Sequence, residues 1–365
     1  MPLDAITLSA VAEELRTQII ESKIDKIYQP TRDQVVFQLR TKEGAKRLLL
    51  SANPSAPRIH FTQESLENPA SPPMFCMLLR KHLVGGRFEA VTQPPMERVI
   101  DLSLGCTDEF GEAVTKHVIL EIMGRNSNLI LTGEDGRIID CVRRVDYEMS
   151  EQRQVLPGLY YHLPPSQHKL NPDDAALEDI TALLRRVDTP TRPDGFLMEH
   201  FSGLPPLICR ELCFRFDPEL EDLNALTLSS RYAFGAFLKA AFQRILSEPG
   251  KPWLLLKQGS PWDYTYMPIR QYGALVESQM QESFSSMLDG FYAKRDAAAR
   301  MKSKSQATLK TITNLRNRTA RKLENQKKEL AATADRDALR IRGELITANL
   351  YRIERGQTRL LAENY

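Results

Sequence analysis

The sequence predicts an α+β multidomain protein: an antiparallel, β-rich N-terminal domain, a helical domain, then one long helix. Three observations predict it. Runs such as QVVFQLRT and NLILTG alternate or concentrate apolar residues between turn residues, as strands do. From Asp173 to about Glu248 the pattern is helical and strand signals are absent. Between Lys294 and Lys328 there are 12 basic residues, 2 acidic ones and no Gly or Pro, which suits a long exposed helix.

The elements follow in order. Leu8, Val11, Leu15 and Ile19–Ile20 recur at helical spacing, so the chain opens with an amphipathic helix. KIDKIYQP, QVVFQLRT and KRLLLSA read as a meander of strands. PPMFCMLLRKHLVGGRF returns to helix, with Pro72–Pro73 suiting its start and Gly85–Gly86 its end. MERVIDLSLG, HVILEIMG, NLILTG and RIIDCVRRV are four more strands. The proline-rich stretch LPGLYYHLPPSQHKLNPDD marks a boundary. The expected domains are therefore 1–172, 173–250 and 276–365, with a strand pair within 252–275 returning to complete the first. The long helix carries only a thin apolar stripe (Leu309, Ile312, Leu315, Leu323, Leu330), so it needs a partner arm. The chain stops at RLLAENY without a closing pattern, after a break expected near Gly343, as a piece of a longer protein would.

The charges are divided unevenly. The net charge is +2, but from Phe291 onward 18 Lys and Arg face 8 Asp and Glu, against 31 and 39 before it. A basic tail on an acidic body points to a polyanionic partner. Lysines and arginines near phosphates release counterions, and those of 294–328 spread around the helix, as suits an arm lying in RNA. Five scattered cysteines fit buried thiols in a reducing compartment; Cys209 and Cys213, one turn apart, lack a second pair for a metal site. The N-terminus has no basic leader and no run approaches the ~18 apolar residues of a membrane span, so a cytoplasmic location without membrane contact is expected.

Enzyme motifs fail. Phosphate-binding glycine loops, H-E-x-x-H and G-x-S-x-G are absent, and the six histidines form no ligand set. No catalytic residue, metal or cofactor is expected. FSGLPPLICREL fits the spacing of a helix-hairpin-helix element at Gly203, Leu204 and Leu212. Pro205, which has no N–H, replaces its second glycine, so phosphate gripping there should be weak.

Two further stretches stand out. KHVILEIMGRNSNLILTG reads as a hairpin whose turn holds Arg125. In a pleated strand Ile119, Glu121 and Met123 share one face and Val118, Leu120 and Ile122 the other. Glu121 thus interrupts an apolar face, as on an edge strand with one wet side or on a surface that reads bases. In PPMERVIDLSL, Glu97 and Arg98 follow two prolines. As neighbours on a regular strand they would point to opposite faces, so sharing one site requires an irregular backbone, which Pro94–Pro95 permits.

Seven blocks, LLLSANPSAPRIHFT, PPMFCMLLRKHLVGGRF, MERVIDLSL, LEIMGRNSNLILT, GLPPLICREL, ESFSSMLDGFYAKRD and GELITANLYRIERGQ, together resemble the NFACT family. Its bacterial members are the RqcH factors, also labelled fibronectin-binding protein A. The resemblance runs through essentially the whole chain. It implies a glycosylase-like N-terminal domain that holds tRNA, and a coiled coil reaching toward the stalk base of the large ribosomal subunit. It also implies binding to obstructed subunits carrying peptidyl-tRNA and recruitment of alanyl-tRNA. The ribosome, not this protein, would then add alanines to the stalled chain. The resemblance further implies the family's second coiled-coil arm and C-terminal RNA-binding domain, which are expected to lie beyond this stretch of sequence. Its acidic–Arg motif, usually Asp-Arg, falls on Glu97 and Arg98, and its E-[IV]-M-G-[RK] block places Glu121, Ile122, Met123 and Arg125 at the tRNA. Glu97 keeps the charge on a side chain one methylene longer. Candidate RNA or ribosome contacts are Arg80, Lys81, Arg87, Arg316, Arg318, Arg321, Lys322, Lys327 and Lys328.

Two other classes compete. A surface adhesin for fibronectin is opposed by the missing leader and the basic helix. A DNA glycosylase is invited by the implied fold and by Pro2, yet Leu3 stands where such enzymes carry a glutamate.

Overall fold

Asp4 starts the first helix. Its carboxylate accepts the amide hydrogens of Ile6 and Thr7 at 3.0 and 2.8 Å, satisfying two of the donors that α1 (Ala5–Ile19) leaves unpaired. Leu8, Val11, Leu15 and Ile19 lie on one side of α1 and are fully buried. The computed structural model describes residues 3–363 apart from Ser166 and Pro249, without the side chains of Ser303, Lys304 and Ala307. Pro2 lies outside the described residues.

Helix α1 packs on a sheet. Its strands are β1 (Lys23–Thr31), β2 (Gln34–Thr41), β3 (Gly44–Ser51), β4 (Arg58–Phe61), β5 (Arg87–Thr92), β6 (Val99–Thr107), β7 (Ala113–Glu121), β8 (Asn128–Gly133) and β9 (Ile138–Cys141). Among the described residues these nine run in the order β4-β3-β2-β1-β5-β6-β7-β8-β9, every pairing antiparallel. The meander and the four later strands stand where the periodicity places them. Two strands escape the sequence reading: β4 and β5, at 4 and 6 residues, are too short to display a period. Between them α2 (Met74–Leu83) begins after Pro73 and is followed by Gly85 at φ +90°, a conformation glycine adopts freely.

The helical region holds α3 (Leu177–Arg185), α4 (Pro193–His200), α5 (Pro206–Phe216) and α6 (Leu228–Ser247). Helices α4 and α5 pack against each other around the turn Phe201–Pro205. Next come β10 (Trp253–Lys257), β11 (Ser260–Thr265) and β12 (Glu277–Met280). The strand pair expected within 252–275 is present as β10 and β11. These strands do not extend the large sheet; they form their own, in the order β11-β10-β12. Their buried side chains Leu255 and Tyr264, with Tyr266 just after β11, nevertheless join the same apolar cluster as α1, the large sheet and α3–α6. Residues 1–294 consequently pack as one unit, with no break in packing at 172/173.

Helix α7 (Phe284–Ala332) is rooted in that unit. Glu14, on α1, accepts the amide hydrogens of Phe284 and Ser285 at 2.7 and 3.1 Å. Asp289 accepts from the Thr62 hydroxyl at 2.6 Å and from the Gln63 amide at 2.8 Å.

Residues 295–365 form the second unit, which holds the rest of α7 and α8 (Arg336–Ala348). Leu309, Ile312, Leu315, Leu323 and Leu330 are all more than half exposed, so the thin stripe stays uncovered. The helix break falls at 333–335, not near Gly343, which lies inside α8. At the break the Thr333 hydroxyl donates to the Leu330 carbonyl at 2.8 Å, a local bond that competes with the helical ladder. A lone glycine costs about 1 kcal/mol and good helix formers around it carry the helix through. Among the described residues no helix is long and apolar enough to cross a membrane.

A cleft where two motifs meet

The β6–β7 register brings together two motifs that lie more than twenty residues apart in the chain. Val99 pairs with Glu121, and one step further the Ile122 amide donates to the Arg98 carbonyl at 2.8 Å. The β7–β8 hairpin turns tightly just beyond. Glu121 faces Asn128, the Ser127 amide donates to the Gly124 carbonyl at 3.0 Å, and the Ser127 hydroxyl accepts from the Met123 amide at 2.9 Å.

The segment before β6 is irregular, as sharing one site requires. Met96 takes φ +57°, unusual for a residue with a side chain. The Glu97 amide donates to the Pro94 carbonyl at 3.1 Å. Gln93 clamps the loop, donating from Nε2 to the carbonyls of Ala5 and Glu97 at 2.8 and 2.7 Å. Gly203, at φ +72°, lies against this loop, and a Cβ there would meet Met96 Cε at 2.7 Å and the Met96 carbonyl oxygen at 2.9 Å.

Glu97, Arg98 and Met123 thereby line one cavity of about 440 Å³, with the α4–α5 turn on another side. Glu97 and Arg98 are half-buried, and their side chains form no hydrogen bond or ion pair among the described residues. Burial pushes the Glu97 carboxyl above its ordinary value, against the pull of Arg98. An acid and a guanidinium left unpaired in a cleft are free to bond a polar ligand. Lys169 also lines the cavity, but its Nζ donates to the Met198 carbonyl at 2.8 Å.

The 121–125 block divides. Met123 lines the cleft and Arg125 is exposed in the turn. Glu121 and Ile122, at 2% and 0% exposure, are corrections to the expectation of tRNA contact: neither reaches the surface. The two faces alternate as the pleat demands, with Val118, Leu120 and Ile122 in the main core. The Glu121 face is not wet. A second cluster of Val99, Ile119, Ile130, Ile138, Cys141 and Val155 covers it, with Met123, Val145 and Tyr161 packed alongside. Glu121 accepts two bonds from Arg153, at 2.5 and 3.2 Å, and one from the Tyr161 hydroxyl at 3.0 Å. Sequence reasoning missed Arg153 and Tyr161, since they lie in an irregular segment with no periodic signal.

The remaining basic candidates do not line this cavity. Arg80 serves the fold: its Nε donates to the Ile27 carbonyl at 2.8 Å and its guanidinium covers the Tyr28 ring. Lys81 is exposed and paired with Glu109, and exposed Arg87 begins β5 at the end away from the cleft. Arg316, Arg318, Arg321, Lys322, Lys327 and Lys328 are exposed on α7 within the second unit. All five cysteines are buried and free of disulfides, and burial pushes the Cys209 and Cys213 thiols up to about 12. Leu3, fully buried, has no access to a ligand.

Comparison with known proteins agrees on one family. The model described as NFACT N-terminal and middle domains matches residues 4–365. The protein named Rqc2 homolog RqcH from Bacillus subtilis (strain 168) is 33% identical over 366 residues, covering 100% of this chain and 62% of the relative. The Rqc2 homolog RqcH of Streptococcus pneumoniae (serotype 2, strain D39) is 29% identical, again over 100% of this chain and 61% of the relative. The chain thus spans about three fifths of the length of these curated relatives. Among solved structures, the fibrinogen binding protein from Staphylococcus aureus is 28% identical with a TM-score of 0.66, covering 80% of this chain and 99% of that one. The N-terminal part of the fibronectin/fibrinogen-binding protein from Streptococcus suis gives 29% and 0.63, over 80% and 99%.

Proposed function

The chain belongs to the family of NFACT N-terminal and middle domains, and on that premise we propose that it is the tRNA- and ribosome-binding region of a ribosome quality-control factor. In this reading it binds the obstructed large subunit that carries peptidyl-tRNA. It recruits alanyl-tRNA, and the ribosome's own centre adds alanines to the stalled chain, so the protein itself performs no catalysis. The work is done in the cytoplasm. The observation that carries the reading is the bond between the Ile122 amide and the Arg98 carbonyl, which puts both motifs at one cleft. Glu97 offers a carboxylate to base or sugar donors, Arg98 and Arg125 offer guanidinium groups to phosphates, and Met123 offers an apolar surface. The basic helix supplies sequence-independent attraction to RNA.

Fluorescence anisotropy with an alanine tRNA transcript tests it. Glu97→Ala/Arg98→Ala should raise the Kd by on the order of tenfold or more without lowering the melting temperature, given about 1–3 kcal/mol for charged hydrogen bonds. A well-folded double variant that binds tRNA as the parent does would refute the assignment. Co-sedimentation with large subunits obstructed by peptidyl-tRNA tests the ribosomal half.

The solved structures support a second reading, binding of fibronectin or fibrinogen, because both neighbours carry those names. Retention on immobilised fibronectin and recovery from the cell envelope, without subunit co-sedimentation, would favour it.

A further inference from the structure

The Glu121 carboxylate lies beneath the surface, yet it is tied to a segment that reaches the cleft. Arg153 is the tie. Its Nη1 and Nη2 bond the two Glu121 oxygens, and its Nε donates to the His162 carbonyl at 2.7 Å. The guanidinium also stacks over the Tyr161 ring at 5.2 Å, while the Tyr161 hydroxyl donates to Glu121. One planar group thus fixes a buried strand end to the backbone at 162. Just beyond, Pro164 and Pro165 line the cavity that holds Glu97 and Arg98. Tyr161 and Leu163 line an adjoining cavity of about 340 Å³ beside Pro94 and Val99. The segment has little regular structure: backbone bonds at Val155, Gly158, Leu159 and Tyr161 tie it to residues 136–145, and beyond Tyr161 the Arg153 bond to the His162 carbonyl holds the stretch that reaches the cavity.

We propose that Glu121 is a positioning residue: through Arg153 and Tyr161 it pins the 153–165 strap so that the strap forms one wall of the RNA cleft. The Arg153 fork suits this task, because a bidentate guanidinium fixes direction as well as distance and its third donor reaches a different part of the chain. The buried carboxylate accepts three hydrogen bonds and has little capacity left for a ligand. Its influence on RNA is therefore indirect. The inference rests on the RNA-binding reading for its affinity readout, but not for its structural one.

The test is a cycle of Glu121→Gln, Arg153→Gln and the double variant, with Tyr161→Phe as the mildest change should the others fold poorly. Hydrogen–deuterium exchange comes first and needs no RNA. Amides of the strap should exchange faster in every variant, by the same amount in the two singles and the double, with the β6–β7 ladder still protected. Strap exchange unchanged from the parent would overturn the proposal. Affinity for the alanine tRNA transcript comes second. Both singles and the double should raise the Kd by one common factor, about tenfold, since partners in one unit are not additive. Arg153→Lys, which keeps charge but loses the fork, should recover only part of it. Additive losses of affinity would mean that Glu121 meets RNA by itself, and would overturn the proposal. If the parent binds no tRNA, the functional reading falls and exchange alone decides the strap.

Discussion

A methyl group on Gly203 would stand 2.9 Å from the carbonyl oxygen of Met96. Both residues occupy left-handed backbone, at φ +72° and +57°. The α4–α5 turn and the loop carrying Glu97 therefore meet closely, with both the carbonyl and the side chain of Met96 against Gly203, which leaves no room for a Cβ there. The contact holds the mouth of the cleft from two distant parts of the chain.

Gly203→Ala should cost about 1–3 kcal/mol, from strain at positive φ and from the clash with a carbonyl that cannot swing aside. Chemical denaturation measures it. Because the loop must shift, tRNA affinity should fall as well. A variant as stable as the parent would show that the two backbones separate freely.

Glu97 predicts a pH dependence. Burial raises its folded pKa above the ordinary carboxylate value of 4.5. Below that value both folded and unfolded states hold the proton and the group contributes nothing. As pH rises through the raised folded value, the folded state must ionise a half-buried acid and stability is lost. Glu97→Gln removes that loss. The melting temperature of the variant, relative to the parent, should be higher near pH 7 than at about pH 3.5. An offset independent of pH would contradict the assignment. A half-buried acid with no hydrogen bond to its side chain among the described residues is what a binding site, not a scaffold, retains.

Glu14→Ala should free the first amides of α7 and cost about 1 kcal/mol, the usual worth of a cap. Faster hydrogen exchange should be confined to the root of the helix, around Phe284–Asp289. Exchange unchanged there would mean that Ser285 and Asp289 hold the root without it.

Replacing Arg316, Arg318 and Arg321 together by Gln should flatten the salt dependence of RNA binding. Each lost phosphate contact lowers the slope of log K against log salt by roughly 0.7–0.9. Stability of the first unit should not change, since these residues are exposed on the second. An unchanged slope would remove the helix from the RNA interface.

Much of the fold was legible because burial imposes a period. Ile119 and Leu120 fall on opposite sides of the sheet, in two different clusters, as alternation demands. Strand β5 was not legible, although it joins the two halves of the sheet, because six residues next to a glycine pair carry too little pattern. The strand pair expected in 252–275 is β10 and β11, whereas β12, four residues just beyond that window, is too short to show a period.

Sequence alone determined the strand and helix types, the two site motifs, the family resemblance and the basic helix. Each of these rests on local spacing or on residue identity, which the chain carries without folding. Tertiary structure alone decided that Glu97 and Arg98 line a cleft without a side-chain bond among the described residues, while Glu121 is roofed by Arg153 and Tyr161. A carboxylate's availability depends on which partners arrive from elsewhere, here 32 and 40 residues along the chain. Those partners reach it through a strap with no period of its own, so only the packed molecule separates a carboxylate that lines a cleft from one that is buried and bonded.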